Sequence, residues 1–198
     1  LSTLTLTTPA AALALDWEVE VKGHLRVDTA DERTRVETVL IPAATQIAEG
    51  ETERQLITAT WTLYLDGFPT SGTKIELPKP PLQSVSSIKY YDTQGVLQTW
   101  AASNYSVVAP AGPRAPNGYI VPGYGITYPS TYGQPNDVVI EFVCGYGAAY
   151  GSVPAQIRAA MLLLVGEMFE RREDAIAGTI IGEVPLAAHR LLWPFRVW

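Results

Sequence analysis

The residues able to do chemistry in this chain are few and scattered. Cys144 is the single cysteine and His24 and His189 are the two histidines among 198 residues, so no internal disulfide framework and no local Cys/His zinc site can be assembled from the sequence. Glu49, Glu51 and Glu53 alternate with Gly50 and Thr52. Three carboxylates so close suit calcium, but the Asp and Gly spacing of a calcium loop is missing, and a solvated turn is the better reading. Gly145-x-Gly147 and Gly123-x-Gly125 lack the rest of a dinucleotide fingerprint. There is no nucleophile elbow, phosphate loop or His-Glu-x-x-His. Carboxylate pairs for acid and base work come together only in a fold. The expectation is a non-enzyme with no catalytic residue, metal or cofactor. Tyr119, Tyr124, Tyr128 and Tyr132 form the other cluster with chemical potential. They fit aromatics that cover a sheet, with a carbohydrate- or ligand-binding module, or a small enzyme with a pocket near Tyr119 to Tyr132, as the alternative.

Charge narrows the partners. The net charge is −6, against a binder that neutralises phosphates, which shows a basic stripe. The cationic pair Arg171-Arg172 lies among Glu167, Glu170, Glu173 and Asp174 and reads as a solvated helix end with cations suited to its dipole. A hydrophobic content of 47% supports a real core. No run of about twenty uncharged apolar residues is present, so no membrane span is expected. The N-terminal stretch lacks a basic n-region and does not read as a signal peptide, which points to synthesis in a reducing cytoplasm.

The elements that would carry these residues are arranged around Asp137 to Asp174. Val138 to Cys144 is a β-branched and aromatic run bounded by Asp137 and Gly145, a strand in which Cys144 is a small core residue. After a Gly/Ala/Tyr break, with Ser152 as cap and Pro154 in the first turn, Ile157, Met161, Leu164 and Met168 recur at helical spacing, and a second stripe makes this a central core helix near 154 to 173. Earlier in the chain an extended Thr-rich lead reaches Pro9. Asp16 then caps a short helix near 16 to 26, with His24 a structural residue beside its apolar face. Asp28 begins a second helix near 29 to 49, with a stripe at Val36, Val39, Leu40, Ala43 and Ile47 and a kink at Pro42. From Gln55 the period becomes two, giving a strand to Leu65 and shorter ones at Lys74 to Leu77, Val85 to Tyr91, Val96 to Trp100, Tyr105 to Val108 and Tyr119 to Val121. Asp92 to Gly95 and Asn117-Gly118 are the turn signals.

Pro185 begins a last helix near 185 to 192. It leads into Leu191, Leu192, Trp193, Pro194, Phe195, Arg196, Val197 and Trp198. Trp, Phe and Arg are typical interface anchors, so this tail either folds onto its own core or docks onto a partner.

The ordered set His24-Leu25-Arg26-Val27-Asp28, Leu56-Ile57-Thr58-Ala59-Thr60-Trp61, Leu77-Pro78-Lys79-Pro80-Pro81-Leu82, Phe142-Val143-Cys144-Gly145-Tyr146-Gly147, Val153-Pro154 and Leu191 to Trp198 resembles the head-tail connector (adaptor) proteins of tailed bacteriophages and gene transfer agents. The resemblance runs nearly end to end and rests on the whole series. It implies an α+β fold: a small helical bundle from the N- and C-terminal segments, 9–52 and 152–198, with an antiparallel β unit, 54–147, inserted between them. It also implies a virion protein at the head-tail junction, made in the bacterial cytoplasm, forming a homo-oligomeric ring of twelve between the portal protein and the stopper or tail. DNA would pass through the ring without sequence recognition. The implied partner interface, with portal or neighbouring subunit, is Leu191, Leu192, Trp193, Phe195, Arg196 and Trp198. Twelve copies would sum to about −70, a channel wall that repels DNA and lets it slide. Pro42 and Cys144 depart from the family pattern locally.

Overall fold

The computed structural model describes residues 2–27, 29–69, 73–171 and 185–197. The fold is α+β, with two antiparallel sheets and a set of helices, and the chain divides into two units. One comprises Leu1–Ala10 and Thr58–Gly145, the other Ala11–Ile57 and Tyr146–Trp198.

In the first unit β1 (Ser2–Thr8), β2 (Ala59–Leu65), β4 (Leu82–Tyr91), β5 (Leu97–Thr99) and β8 (Val138–Cys144) form a five-stranded sheet in the order β1-β2-β8-β4-β5. The strands β3 (Ile75–Leu77), β6 (Tyr105–Val108) and β7 (Gly118–Pro122) form a three-stranded sheet in the order β3-β7-β6. The alternation read from Gln55 holds along β2, and β8, read only as an apolar run, alternates buried and half-buried residues. Trp61 and Leu63 pair with Phe142 and Ile140, and this face joins Ile88 of β4 and Leu77 and Ile120 of the small sheet in one core. The other face is rich in hydroxyls, with Thr5 opposite Thr62 and Thr62 opposite Glu141.

Two details depart from the sequence reading. The Thr-rich lead is a paired strand, antiparallel to β2; its threonines and leucines alternate, but only Leu4 is even half-buried, so the burial that usually betrays a strand is weak. Asn117-Gly118 is not a hairpin turn. Gly118 starts β7 opposite Leu77, and a Cβ on it would stand 2.6 Å from Leu82 Cβ, so glycine here serves close packing instead of a turn.

In the second unit Asp16 caps as expected, its Oδ1 accepting from the Val19 amide at 2.9 Å. A π-helical turn, Trp17–Val21, runs into α1 (Lys22–Leu25). Asp28 lies outside the described residues, and α2 (Ala30–Arg35) follows it. A second π-helical turn, Val36–Leu40, leads without a break into α3 (Ile41–Thr52).

That turn answers the expected kink. Pro42 has no amide to donate and would crowd a carbonyl one turn back. The wider turn before it, in which the Ile41 amide reaches the Val36 carbonyl, makes room. The extra residue also turns the helix, so that the stripe shifts in part after Leu40. Ala44 and Ala48 are in the core, Ile47 packs half-buried against it as expected, Ala43 is half-buried, and Val39 faces outward.

The central helix α4 (Ala155–Glu170) starts with Pro154, whose carbonyl accepts from Ile157 and Arg158; the Ser152 side chain makes no capping bond. The helix packs against α3 and α5 (Leu186–Leu192) and buries Ile157, Met161, Leu164 and Val165 among Val21, Leu40, Ile41 and Leu192. The strand read from Gln55 begins only at Ala59, because Glu49 Oε1 takes the Gln55 side-chain amide at 2.7 Å and the Leu56 amide at 2.9 Å. The helix expected to reach 173 ends at Glu170, with Arg171 as its C-cap in a non-helical conformation; residues 172–184 lie outside the described residues.

Candidate functional site

The residues expected to dock on a partner are divided by the fold. Helix α5 continues into a 3₁₀ turn, Trp193–Phe195, and its phase decides which side chains turn inward. Ala188, Leu192 and Phe195, spaced by four and three, enter the core of the helical unit. Leu191 packs partly buried against the same core. Trp193 is 49% exposed, and Arg196 is exposed with its guanidinium 5.9 Å from the Trp193 ring centre. Trp198 lies outside the described residues.

Hydrogen bonds with the rest of the helical unit fix this segment. Arg54 Nε donates to the Phe195 carbonyl, the Val197 amide donates to the Thr52 carbonyl at 3.1 Å, and Gln156 Nε2 donates to the Leu191 carbonyl at 3.0 Å. Arg54 is 2% exposed. Burial pulls its guanidinium below the usual arginine range, with the neighbouring Tyr146 hydroxyl acting against that, and burial likewise pushes Tyr146 up. A fork-shaped donor fits a site that must satisfy a carbonyl and a phenol together.

The sequence reading missed the residues that support Trp193. His189 Nδ1 lies 3.3 Å from Glu51 Oε2, and its ring sits 5.4 Å from that of Trp193. The spacing of His189 and Trp193, one helical turn apart, was visible; the partner in α3 was not. The outward group is thus Trp193 and Arg196, with Leu186, also exposed, on the same helix. An amphipathic ring beside a cation, held by a rigid base, suits recognition of another protein and offers no reactive constellation.

The other candidates resolve into structural tasks. Glu49 holds the turn after α3, Glu51 faces His189, and Glu53 takes the left-handed conformation that ends the helix. Among the described residues no group of three His, Cys, Asp or Glu is placed to hold a metal ion, and no helix is long and apolar enough to cross a membrane. His24 is exposed and Cys144 buried.

The tyrosines disperse. Tyr128 stacks on Phe68 at 5.1 Å and donates to the Thr73 carbonyl at 2.9 Å, Tyr119 lies under Lys74, and Tyr124 is fully exposed. Among the described residues no ring contact joins two of the four.

A shallow depression of about 230 Å³ in the helical unit is lined by Leu13, Leu15, Asp16, Trp17, Glu37 and Tyr150. Its polar groups are matched internally: Arg33 bonds Glu37 and lies over Trp17, and Arg158 lies over Tyr150.

No family model matches the chain, and no curated protein matches it. Solved structures do. A chain from the neck of an empty gene transfer agent particle, computed with C6 symmetry, superposes with a TM-score of 0.77 at 26% identity, covering 99% of this chain and 96% of that one. A chain from the virion of a native gene transfer agent particle gives 0.74 at 27% identity with the same coverage. A third, from the neck of a native particle computed with C12 symmetry, gives 0.62 at 22% with the same coverage and speaks to the fold. The resemblance to head-tail connectors read from the residues thus has its counterpart in solved neck and virion structures that span nearly the whole chain.

Proposed function

We propose that this chain is a structural component of the neck of a virus-like particle: an adaptor that forms a ring between the portal and the stopper or tail, around a channel for DNA. The observation that carries this reading is the likeness, over 99% of the chain, to a protein of a gene transfer agent neck. No catalytic step belongs to it. Cyclic symmetry in the related necks, sixfold in one and twelvefold in another, supports a ring here, with twelve copies as the expected number.

Docking onto the portal falls to Trp193 and Arg196. Leu191, Leu192 and Phe195 hold them in place from within, and Trp198 belongs to the same segment. A Trp side chain offers roughly 150 to 250 Å² for burial, and repetition around a ring turns a modest contact into a stable joint. The acidic balance supports the channel. Of the charged residues, 15 acidic and 10 basic fall in the helical unit, against five and four in the β unit, so most of the excess negative charge belongs to the helical unit. A wall of that sign repels phosphates and leaves DNA free to slide.

The test is binding of the purified chain to a portal ring from a gene transfer agent. Trp193→Ala and Arg196→Ala should remain folded and lose most of that binding. Retention of full affinity by both would move the docking surface elsewhere.

A further inference from the structure

The five-stranded sheet has two open edges, β1 and β5, on opposite sides. Natural edge strands are guarded by lysines, prolines or a covering segment, because a row of free amides and carbonyls is a template for another strand. Neither edge has a charged guard. Ser2–Thr8 reads STLTLTT and β5 lies in Val96-Leu97-Gln98-Thr99-Trp100, with no charge and no proline in either. Leu6 is 44%, Val96 52% and Leu97 51% exposed. A register irregularity falls between Leu6 and Thr8, so Ser2 to Leu6 is the regular part of the first edge.

Strand polarity decides how the edges can be used. Every pairing within the sheet is antiparallel, and with five strands the first and last run the same way. Rotation between neighbours in a twelvefold ring turns a strand by at most about 30°, so it cannot reverse strand direction. When β5 of one copy meets β1 of the next, the two are therefore parallel, and the contact is head-to-tail, the type that closes into a ring.

The ladder also shows which groups are open. The Trp100 amide bonds the Ile88 carbonyl and the Asp92 amide bonds the Val96 carbonyl, so by the alternation of an antiparallel ladder Gln98 faces Tyr90 and the backbone groups of Leu97 and Thr99 aim away from β4. Thr99 pairs with Lys89, Lys89 with Val139, and Glu141 with Thr62, itself paired with Thr5. Thr5 and Thr99 consequently share one face of the sheet.

We infer that the β1 edge of one copy pairs in parallel with the β5 edge of a second copy of this chain, so that the sheets join into a continuous belt around the ring. The inference rests on the ring proposed above. Each junction spans three to five residues, short enough that the free chain stays separate and the belt forms on a template.

The test compares the full chain free and assembled on a portal ring. In the assembly the Leu97 and Thr99 amides should exchange hydrogen at least about tenfold more slowly than in the free chain. A mixture of Thr5→Cys and Thr99→Cys copies should form a disulfide between subunits. Thr99→Pro removes an amide that bonds nothing within the sheet, so it should keep the fold and lose the ring; Leu97→Lys, at a half-exposed position, gives the same reading if the proline variant fails to fold. Rings whose Leu97 and Thr99 amides exchange as fast as in the free chain would overturn the belt while leaving the ring intact. Protected amides with no disulfide across Thr3, Thr5 or Thr7 to Thr99 would assign the edge to a foreign strand and overturn the second copy as occupant. If no ring forms with the unaltered chain, the adaptor reading itself fails and the belt with it.

Discussion

Arg54 donates a hydrogen bond from a nearly inaccessible guanidinium to the carbonyl of Phe195. This one contact ties the start of the segment after α3 to the turn that presents Trp193, and it separates the parts of that turn by role. Removing the guanidinium takes a buried, charged donor from that carbonyl, at about 1 to 3 kcal/mol. Arg54→Ala should lower stability in urea unfolding by that order and Phe195→Ala by about 3 to 5 kcal/mol. Trp193→Ala, which loses only half-exposed ring contacts, should cost least of the three, about 1 kcal/mol or less. If Trp193→Ala is the most destabilising of the three, the outward assignment is wrong.

Gly118 packs against Leu82 so closely that an added methyl would overlap the side chain from Cβ outward. Gly118→Ala should cost about 1 to 3 kcal/mol through displacement of the small sheet from the large one. The paired variant Gly118→Ala with Leu82→Ala should recover part of the loss in a double-mutant cycle. Simple additivity of the two would contradict the overlap.

How far the sequence carried can be judged at these positions. The bounds of β6 and β8 were legible because Tyr105–Val108 and Val138–Cys144 combine β-branched and aromatic residues with clear turn signals. Gly118 was read as a turn because Asn-Gly is a turn dipeptide; what it does is set by Leu82, 36 residues away, and no local pattern reports that. The stripe of α3 gained Ala44 and Ala48 and lost Val39 because a π turn adds a residue that a 3.6 period does not count. In the C-terminal segment the residue types were right for an interface, but the division between Phe195 and Trp193 follows the helical phase of Ala188, Leu192 and Phe195. That spacing is present in the sequence, whereas the core that receives these three side chains is assembled from distant helices.

Asp92 organises the β4–β5 turn, accepting from the Gln94 and Val96 amides at 2.9 and 3.0 Å and from Gln98 Nε2 at 2.8 Å. The Gln98 side chain first, then the backbone amide of Val96, hold its carboxyl below the usual aspartate range. A carboxyl depressed on folding contributes stability above its unfolded value and loses it as the pH falls through the folded one. Protection of the hairpin amides from hydrogen exchange should therefore hold at neutral pH and weaken on acidification below about pH 4. Asp92→Asn should remove the pH dependence of that protection. An unchanged acid response in the variant would assign it to other groups.

The acidic helical unit should not retain duplex DNA. At physiological salt, gel retardation with random-sequence DNA is expected to show free DNA at all protein concentrations up to the micromolar range, for the free chain and for rings alike. A retarded band that disappears with added salt would mean that basic residues line the path.

The most direct measurement is the mass of a gene transfer agent portal ring before and after addition of the purified 21.5 kDa chain. A discrete increase equal to twelve copies, with no ladder of lower occupancies at saturation, is the predicted result. No increase, or a continuous distribution without a preferred number, would contradict the adaptor.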